Sequence, residues 1–290
     1  MAAEIPPLRV GLIGHPLGHS LSPAMQDAAF VAAGLPHRYT LFDTPPVDLP
    51  ALLAGMREGG WLGANVTVPH KTSVAALLDD LRGDALDLGA VNTVQVEGTR
   101  LLGYNTDTFG FADDLAGRPD LRSKPGVAVV LGAGGSARAV VATLVGHSWE
   151  VHVLARDLDR ASALARSLPH GDRIHPDLLD APTAAACLTG ARLLVNCTPV
   201  GMWPHVDADP LPAGVRMAPD LFVYDLVYRP YETRLLARAA AAGCRTTNGL
   251  PMLVAQGAAA FTIWTGLDAP RRLMRSAAEH ALLATGDPSP

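Results

Sequence analysis

The feature that most narrows the fold is a β-branched run that ends in glycines. Val127-Ala128-Val129-Val130-Leu131 leads directly into Gly132-Ala133-Gly134-Gly135-Ser136-Ala137. An apolar run of this length reads as a buried strand, and residues 136–145 continue with helical periodicity. Strand, glycine turn and helix in that order is the context in which G-x-G-x-x-G/A carries meaning. Gly132 permits the tight turn, and Gly134 lets the backbone approach a pyrophosphate. Ala137 is small enough for the helix to pack on the strand, while the helix N-terminus supplies N–H donors. Gly132, Ala133, Gly134, Gly135 and Ser136 are therefore the expected cradle of a dinucleotide. The alternative is a tight turn in an unliganded sheet.

The next apolar run ends at Leu154-Ala155-Arg156-Asp157, about 20 residues past the glycines, where the adenosine ribose is read. An acid there accepts from a free 2′-hydroxyl, whereas arginine pairs with a 2′-phosphate. Arg156, with Arg160 one turn into the following helix, offers two guanidiniums and favours NADP. Asp157 either serves the unphosphorylated ribose of NAD or caps the helix. NADP is the expected cofactor, with NAD as the alternative.

Along the whole chain, short apolar runs alternate with helix-length segments, the pattern of an α/β protein. Strands are expected at residues 8–13, 38–42 and 63–68, with a pair at 90–96 and 100–103. Helices are expected at 22–33, with Ser22 as its cap and Pro23 at its first position, and at 49–59 and 70–81. After a loop at 118–126, a second series has strands at 127–131, 151–154, 193–196 and 221–225. Its helices are expected at 136–145, 159–168 and 231–242. Residues 251–264 and 270–284 read as helices without a strand. The expected organisation is two α/β domains. An N-terminal substrate domain (1–106) is completed by returning C-terminal helices (248–290), and a Rossmann dinucleotide-binding domain spans 107–247. The two ends, 1–7 and 286–290, are expected to fray.

Of the 290 residues, 49% are hydrophobic and 18% charged, enough to bury large cores. The net charge of −5 comes with scattered Lys and Arg, which excludes a nucleic-acid footprint but not a small anionic substrate. Three cysteines, with no C-x-x-C spacing, suggest neither a disulfide framework nor a zinc site, and a reducing, cytoplasmic setting. No apolar run reaches membrane-spanning length. His15, His19, His37 and His70 lack metal-ligand spacing and read as scaffold or surface, so no metal is expected.

Polar clusters punctuate the first half: Ser20-Leu21-Ser22-Pro23, Asn65-Val66-Thr67-Val68-Pro69-His70-Lys71, Ala90-Val91-Asn92-Thr93 and Gly103-Tyr104-Asn105-Thr106-Asp107. Paired hydroxyls suit a carboxylate or polyol, amides suit hydroxyls, and a Lys with an Asp suits proton transfer on an alcohol or ketone. Each has a structural alternative: Ser22 or Asp107 as a helix cap, Lys71 as a solvated first-turn residue.

These clusters resemble the S-x-S-P, N-V-T-x-P-x-K, A-x-N-T and G-x-N-T-D elements of the shikimate dehydrogenase family. In the second half the glycine turn, Asn196-Cys197-Thr198-Pro199, Asp225-Leu226-Val227-Tyr228 and Asn248-Gly249-Leu250-Pro251…Gln256 are similar to further elements, eight in family order. The resemblance implies NADPH-linked, reversible reduction of 3-dehydroshikimate to shikimate, in aromatic amino-acid biosynthesis. It assigns Ser20, Ser22 and Tyr228 to the substrate carboxylate, and Thr67, Asn92 and Gln256 to the ring hydroxyls. Lys71 becomes the general acid/base, oriented by Asp107, and Thr198, Leu226 and Gly249 join the cofactor site. The family includes monomers and homodimers. Two departures stand out: Gln26-Asp27 where the family commonly has His-Asn, and Ala155-Arg156-Asp157 where it often has Asn-Arg-Thr. They leave open a quinate/shikimate dehydrogenase using NAD. A non-catalytic cofactor-binding regulator is the third reading, against which Lys71 and Asp107 both stand intact.

Overall fold

The structure, a computed structural model, describes residues 6–18 and 20–284. The expectations for His19 and for the outermost residues at both ends lie outside the described residues. The chain divides into two compact units. Unit 1 comprises the residues up to Gly110 together with the segment from Val254, and unit 2 is Phe111–Leu253.

Unit 1 runs β1 (Arg9–Gly14), α1 (Ser22–Ala32), β2 (Arg38–Asp43), α2 (Leu49–Arg57), β3 (Trp61–Val66), a 3-10 turn (Val74–Leu77), β4 (Asp80–Leu81), α3 (Asp84–Leu88), β5 (Thr93–Glu97) and β6 (Arg100–Tyr104). The next helix, α4 (Asp107–Ala116), opens here and continues into unit 2. The sheet order is β2-β1-β3-β5-β6-β4, parallel across β2-β1-β3 and antiparallel where β5 joins. Ile13, Leu53, Met56, Ala64, Val91 and Val94 share one apolar core.

Unit 2 continues with α5 (Pro119–Arg122), β7 (Val127–Leu131), α6 (Gly135–Gly146), β8 (Glu150–Ala155), α7 (Leu158–Ser167), β9 (Ile174–Leu178), α8 (Ala181–Leu188), β10 (Leu193–Asn196), β11 (Phe222–Asp225), α9 (Arg234–Ala241) and β12 (Arg245–Thr247). Its strands are all parallel, in the order β12-β11-β10-β7-β8-β9. Counted from β7, this is the 3-2-1-4-5-6 order of a dinucleotide-binding sheet, with its switch point between β7 and β10.

Two long helices close the chain, α10 (Leu250–Thr265) and α11 (Arg271–Leu283). They complete unit 1. Phe30 of α1 lies 5.4 Å from Phe261 of α10, ring to ring, and α11 packs on α1. Gln26 Nε2 of α1 donates to the Gly257 carbonyl of α10 at 2.9 Å, joining the two helices. Trp264 Nε1 donates to the Val94 carbonyl, pinning α10 to the sheet.

Two expectations fail. Residues 70–81 do not form a helix. The Lys71 carbonyl accepts from Val91 N, and Asp79 N donates to Leu101 O. These bonds spend the backbone on the sheet, leaving one 3-10 turn and the short edge strand β4. Ser22 is not the cap of α1 either. Leu21, with φ −81° and ψ −8°, occupies the cap position with helical geometry. Ser20 Oγ instead accepts from Ser22 N at 3.2 Å.

Candidate functional site

In unit 1 the loops after β1 and β3 lie together at the carboxyl ends of their strands, because the strands pair in parallel. Thr67 N donates to Ile13 O, and His15 N to Val68 O. A Cβ on Gly14 would collide with Thr67 Cγ2, so the absence of a side chain there admits Thr67 to the β1 edge. His70 is buried, and its Nε2 lies 2.7 Å from Thr44 O, a scaffold contact under the Lys71 loop.

Lys71 leaves this loop and donates from Nζ to Asp107 Oδ2 at 2.6 Å. The pair is largely shielded, with side-chain exposures of 12% and 6%. Asp107 begins α4, yet its carboxylate does not cap that helix. Asn105 Oδ1 accepts the Asp107 N–H instead. Asp107 Oδ1 receives Asn92 Nδ2 at 2.8 Å, so each carboxylate oxygen has its own donor.

Asn92 ties the site together. Its Nδ2 also lies 2.9 Å from Thr106 Oγ1 and 3.3 Å from Gln256 Oε1, and its Oδ1 accepts from Thr106 N at 2.7 Å. Behind it, Asn65 Nδ2 donates to Asn92 O and Thr93 Oγ1, while Tyr39 OH donates to Asn65 Oδ1. Of the residues expected at the site, Lys71, Asp107, Asn92 and Gln256 form one hydrogen-bonded group. Thr67 stands on the neighbouring loop. Ser20 stands just before α1, and the buried Ser22 begins it. Thr106, Asn105 and Tyr39 support the group, and sequence reasoning does not single them out. Thr106 and Asn105 stand in the same G-x-N-T-D element as Asp107, but Tyr39 carries no sequence signal.

Unit 2 presents the other expected residues beyond the carboxyl ends of β7, β8, β10, β11 and β12. Gly132 has φ +101°, and a Cβ there would be 2.9 Å from Thr198 Cγ2. Gly134 occupies the N-cap position of α6 without a side-chain cap, and a Cβ on it would meet no atom within 4 Å. Open space over an uncapped helix N-terminus is the fit a pyrophosphate needs. Arg156 and Arg160 are exposed beyond β8. Asp157 is the N-cap of α7, accepting from Arg160 N at 3.1 Å.

The β10 loop is shaped by Asn196, whose Oδ1 accepts from Thr198 N and Thr198 Oγ1 and whose Nδ2 donates to Asp225 Oδ1. Burial pushes the Asp225 carboxyl up to about 6, against hydrogen bonds from Thr233, Val227 N and Asn196. Leu226 and the half-buried Tyr228 follow β11. Gly249 backs onto Leu226, where a Cβ would collide with the Leu226 carbonyl oxygen. No helix among the described residues is long and apolar enough to cross a membrane.

The family profile described as shikimate dehydrogenase substrate binding domain matches residues 12–94, and that of the shikimate 5'-dehydrogenase C-terminal domain matches residues 249–279. A relative from Symbiobacterium thermophilum, named shikimate dehydrogenase (NADP(+)), is 46% identical over 277 residues, covering 94% of each chain. The crystal structure of shikimate 5-dehydrogenase from Thermus thermophilus, in complex with NADP(H) and shikimate, is 42% identical with a TM-score of 0.81. The match covers 95% of this chain and 100% of that one. Quinate dehydrogenase from Corynebacterium glutamicum, in complex with NAD, is 34% identical with a TM-score of 0.81, covering 93% and 98%.

Proposed function

The chain belongs to the shikimate dehydrogenase family, and from that premise we propose that it catalyses the NADPH-linked, reversible reduction of 3-dehydroshikimate to shikimate. The observation that carries the proposal is the shielded Lys71–Asp107 pair at 2.6 Å, held on its far side by Asn92. A nicotinamide cofactor held at the Gly132–Ser136 turn would supply the hydride that the carbonyl carbon takes up. Lys71 stabilises the negative charge that develops on the carbonyl oxygen and passes it a proton. Asp107 fixes the ammonium in place, and Asn92 fixes Asp107. In the oxidising direction the same Lys takes the hydroxyl proton.

In this proposal Ser20, Ser22 and Tyr228 hold the substrate carboxylate, and Thr67, Asn92 and Gln256 hold ring hydroxyls. Ser20 Oγ accepts from Ser22 N, which leaves its hydroxyl proton to donate to a carboxylate oxygen. Gly132, Ala133, Gly134, Gly135 and Ser136 cradle the pyrophosphate. Arg156 and Arg160 clamp the 2′-phosphate, and Thr198, Leu226 and Gly249 complete the cofactor site. Asp157 caps α7 through Oδ1, and the preference for NADP is supported by the two exposed guanidiniums beside it and by the NADP(+)-named relatives. The setting proposed is the cytoplasm, with a small-molecule substrate and no nucleic acid.

Quinate oxidation with NAD is the second reading, favoured by Gln26 and by the quinate dehydrogenase likeness. Steady-state kinetics with shikimate and quinate against NADP and NAD separates the two. Shikimate with NADP is expected to give the highest kcat/KM of the four combinations. A higher value for quinate with NAD overturns the assignment. Lys71→Ala is expected to lower kcat by about 10²–10⁴-fold with a much smaller change in KM. Near wild-type kcat in that variant removes Lys71 from the chemistry.

A further inference from the structure

One cluster of unit 2 is used by none of these steps. The parallel pairing of β8 and β9 sets His152 beside His175 and Leu154 beside Asp177. With the two-residue repeat of strands, His152, His175 and Asp177 share one face of the sheet. Leu154 packs on that face with Ala184 and Leu188 of α8, and Cys187 of the same helix reaches the histidine. His152 Nδ1 is 3.1 Å from Asp177 Oδ2 and 3.5 Å from Cys187 Sγ, and Cys187 Sγ is 3.9 Å from Asp177 Oδ2. All three side chains are half-buried, so the cluster opens to solvent on one side.

These separations have a specific meaning. A tetrahedral zinc-type ion holds sulfur at about 2.3 Å and nitrogen or oxygen at about 2.0–2.1 Å. Its ligand atoms then stand roughly 3.3 Å apart for nitrogen and oxygen, and roughly 3.5 Å apart for sulfur with either. The three distances found lie within a few tenths of an ångström of those edges. We propose that His152, Asp177 and Cys187 form a binding site for a divalent transition-metal ion of the zinc type, with solvent in the fourth position. A thiolate, imidazole and carboxylate set suits zinc and disfavours magnesium or calcium, which take oxygen ligands. Binding displaces the Cys187 thiol proton to solvent, and His152 ligates as neutral imidazole through Nδ1. His175 lies against the His152 ring at 5.1 Å between centroids, and its Nε2 is 3.1 Å from Glu150 Oε2. This second pair walls one side of the cluster. The ion joins β8, the edge strand β9 and α8, three elements that come together only in the folded chain, so it binds the native state selectively.

The test uses the full chain, free of any affinity tag and stripped with chelator, titrated with cobalt(II) and then zinc(II). The expected result is one equivalent bound, a thiolate-to-cobalt charge-transfer band that zinc abolishes, and a raised thermal midpoint. Cys187→Ser is expected to lose the band, and Asp177→Asn and His152→Gln to weaken zinc binding by at least roughly 10–100-fold. Cys244→Ser is expected to keep the band. The absence of stoichiometric binding to the wild-type chain overturns the site without reference to any variant. A band that survives Cys187→Ser also overturns it, and neither outcome bears on the dehydrogenase assignment.

Discussion

Asn92 engages its neighbours from both ends of its amide. Nδ2 points to Asp107, Thr106 and Gln256, and Oδ1 receives the Thr106 N–H. Asn92→Ala leaves a buried N–H without its acceptor and Asp107 short of one donor. The expected cost is about 1–3 kcal/mol of stability, read from urea unfolding, together with a fall in kcat as Asp107 loses its orientation. Unchanged kcat shows that Asp107 is held by other means. Gly132 is constrained differently. Its φ of +101° and the 2.9 Å approach of Thr198 Cγ2 both oppose a side chain. Gly132→Ala is expected to weaken NADPH binding about tenfold or more, reflecting roughly 1–3 kcal/mol of backbone strain plus the steric clash. Adding Thr198→Ser removes the clashing methyl and is expected to recover part of the loss, measured by cofactor fluorescence titration. At this scale residue chemistry is readable: Lys71, Asp107 and the glycines announce themselves by type and spacing. Ser22 misleads because Ser-Pro is a helix-start signal in sequence, whereas the oxygen that takes up the first free N–H comes from Ser20, two residues earlier.

Among the elements, α9 illustrates how a cap and a buried acid are coupled. Thr233 Oγ1 accepts from Leu236 N to cap the helix and donates to Asp225 Oδ2 at 2.6 Å. Asp225, raised from 3.8 to about 6 by burial, holds a proton in the folded chain that the unfolded chain has released. Folding stability from this group is therefore complete below about pH 4 and falls as pH rises to about 6. The drop is at most about 3 kcal/mol at about 1.4 kcal/mol per pH unit. Asp225→Asn is expected to lack this slope, so that the wild-type minus variant difference in stability falls from pH 4 to about pH 6, followed by denaturant unfolding from pH 4 to 7. Thr233→Val removes a donor to the carboxylate and is expected to extend the slope to higher pH. A parallel pair of curves for wild type and Asp225→Asn refutes the coupling. Strands β7, β10 and β11 are legible as apolar runs, but β9 is not. His175-Pro176-Asp177 reads as a breaker, and the strand survives because it is the sheet's edge, beside β8 alone. The 70–81 segment departs from its helical pattern for a long-range reason, its backbone being claimed by Val91 and Leu101.

The whole molecule couples to its ligand through unit 2. NADPH at a hundredfold excess over its Kd is expected to stabilise the cofactor-binding sheet by about 2.7 kcal/mol. This is read as a rise in thermal midpoint, and Gly132→Ala is expected to blunt it. A midpoint unmoved by saturating NADPH contradicts the cofactor assignment. The alternation of strands and helices makes the α/β class and the dinucleotide sheet visible in the sequence. The strand order within unit 1 is not visible there, since the antiparallel β5 enters through long-range pairing rather than local pattern. The division of the chain also makes unit 1 depend on both ends of the sequence. Unit 2 is a single stretch of chain, whereas unit 1 needs α10 and α11, which come last in the sequence. Gln256, the partner of Asn92 and Thr106, arrives with them. A truncation that removes the last two helices therefore takes one wall from the amide group around Asn92 while leaving all six strands of unit 2 in the chain.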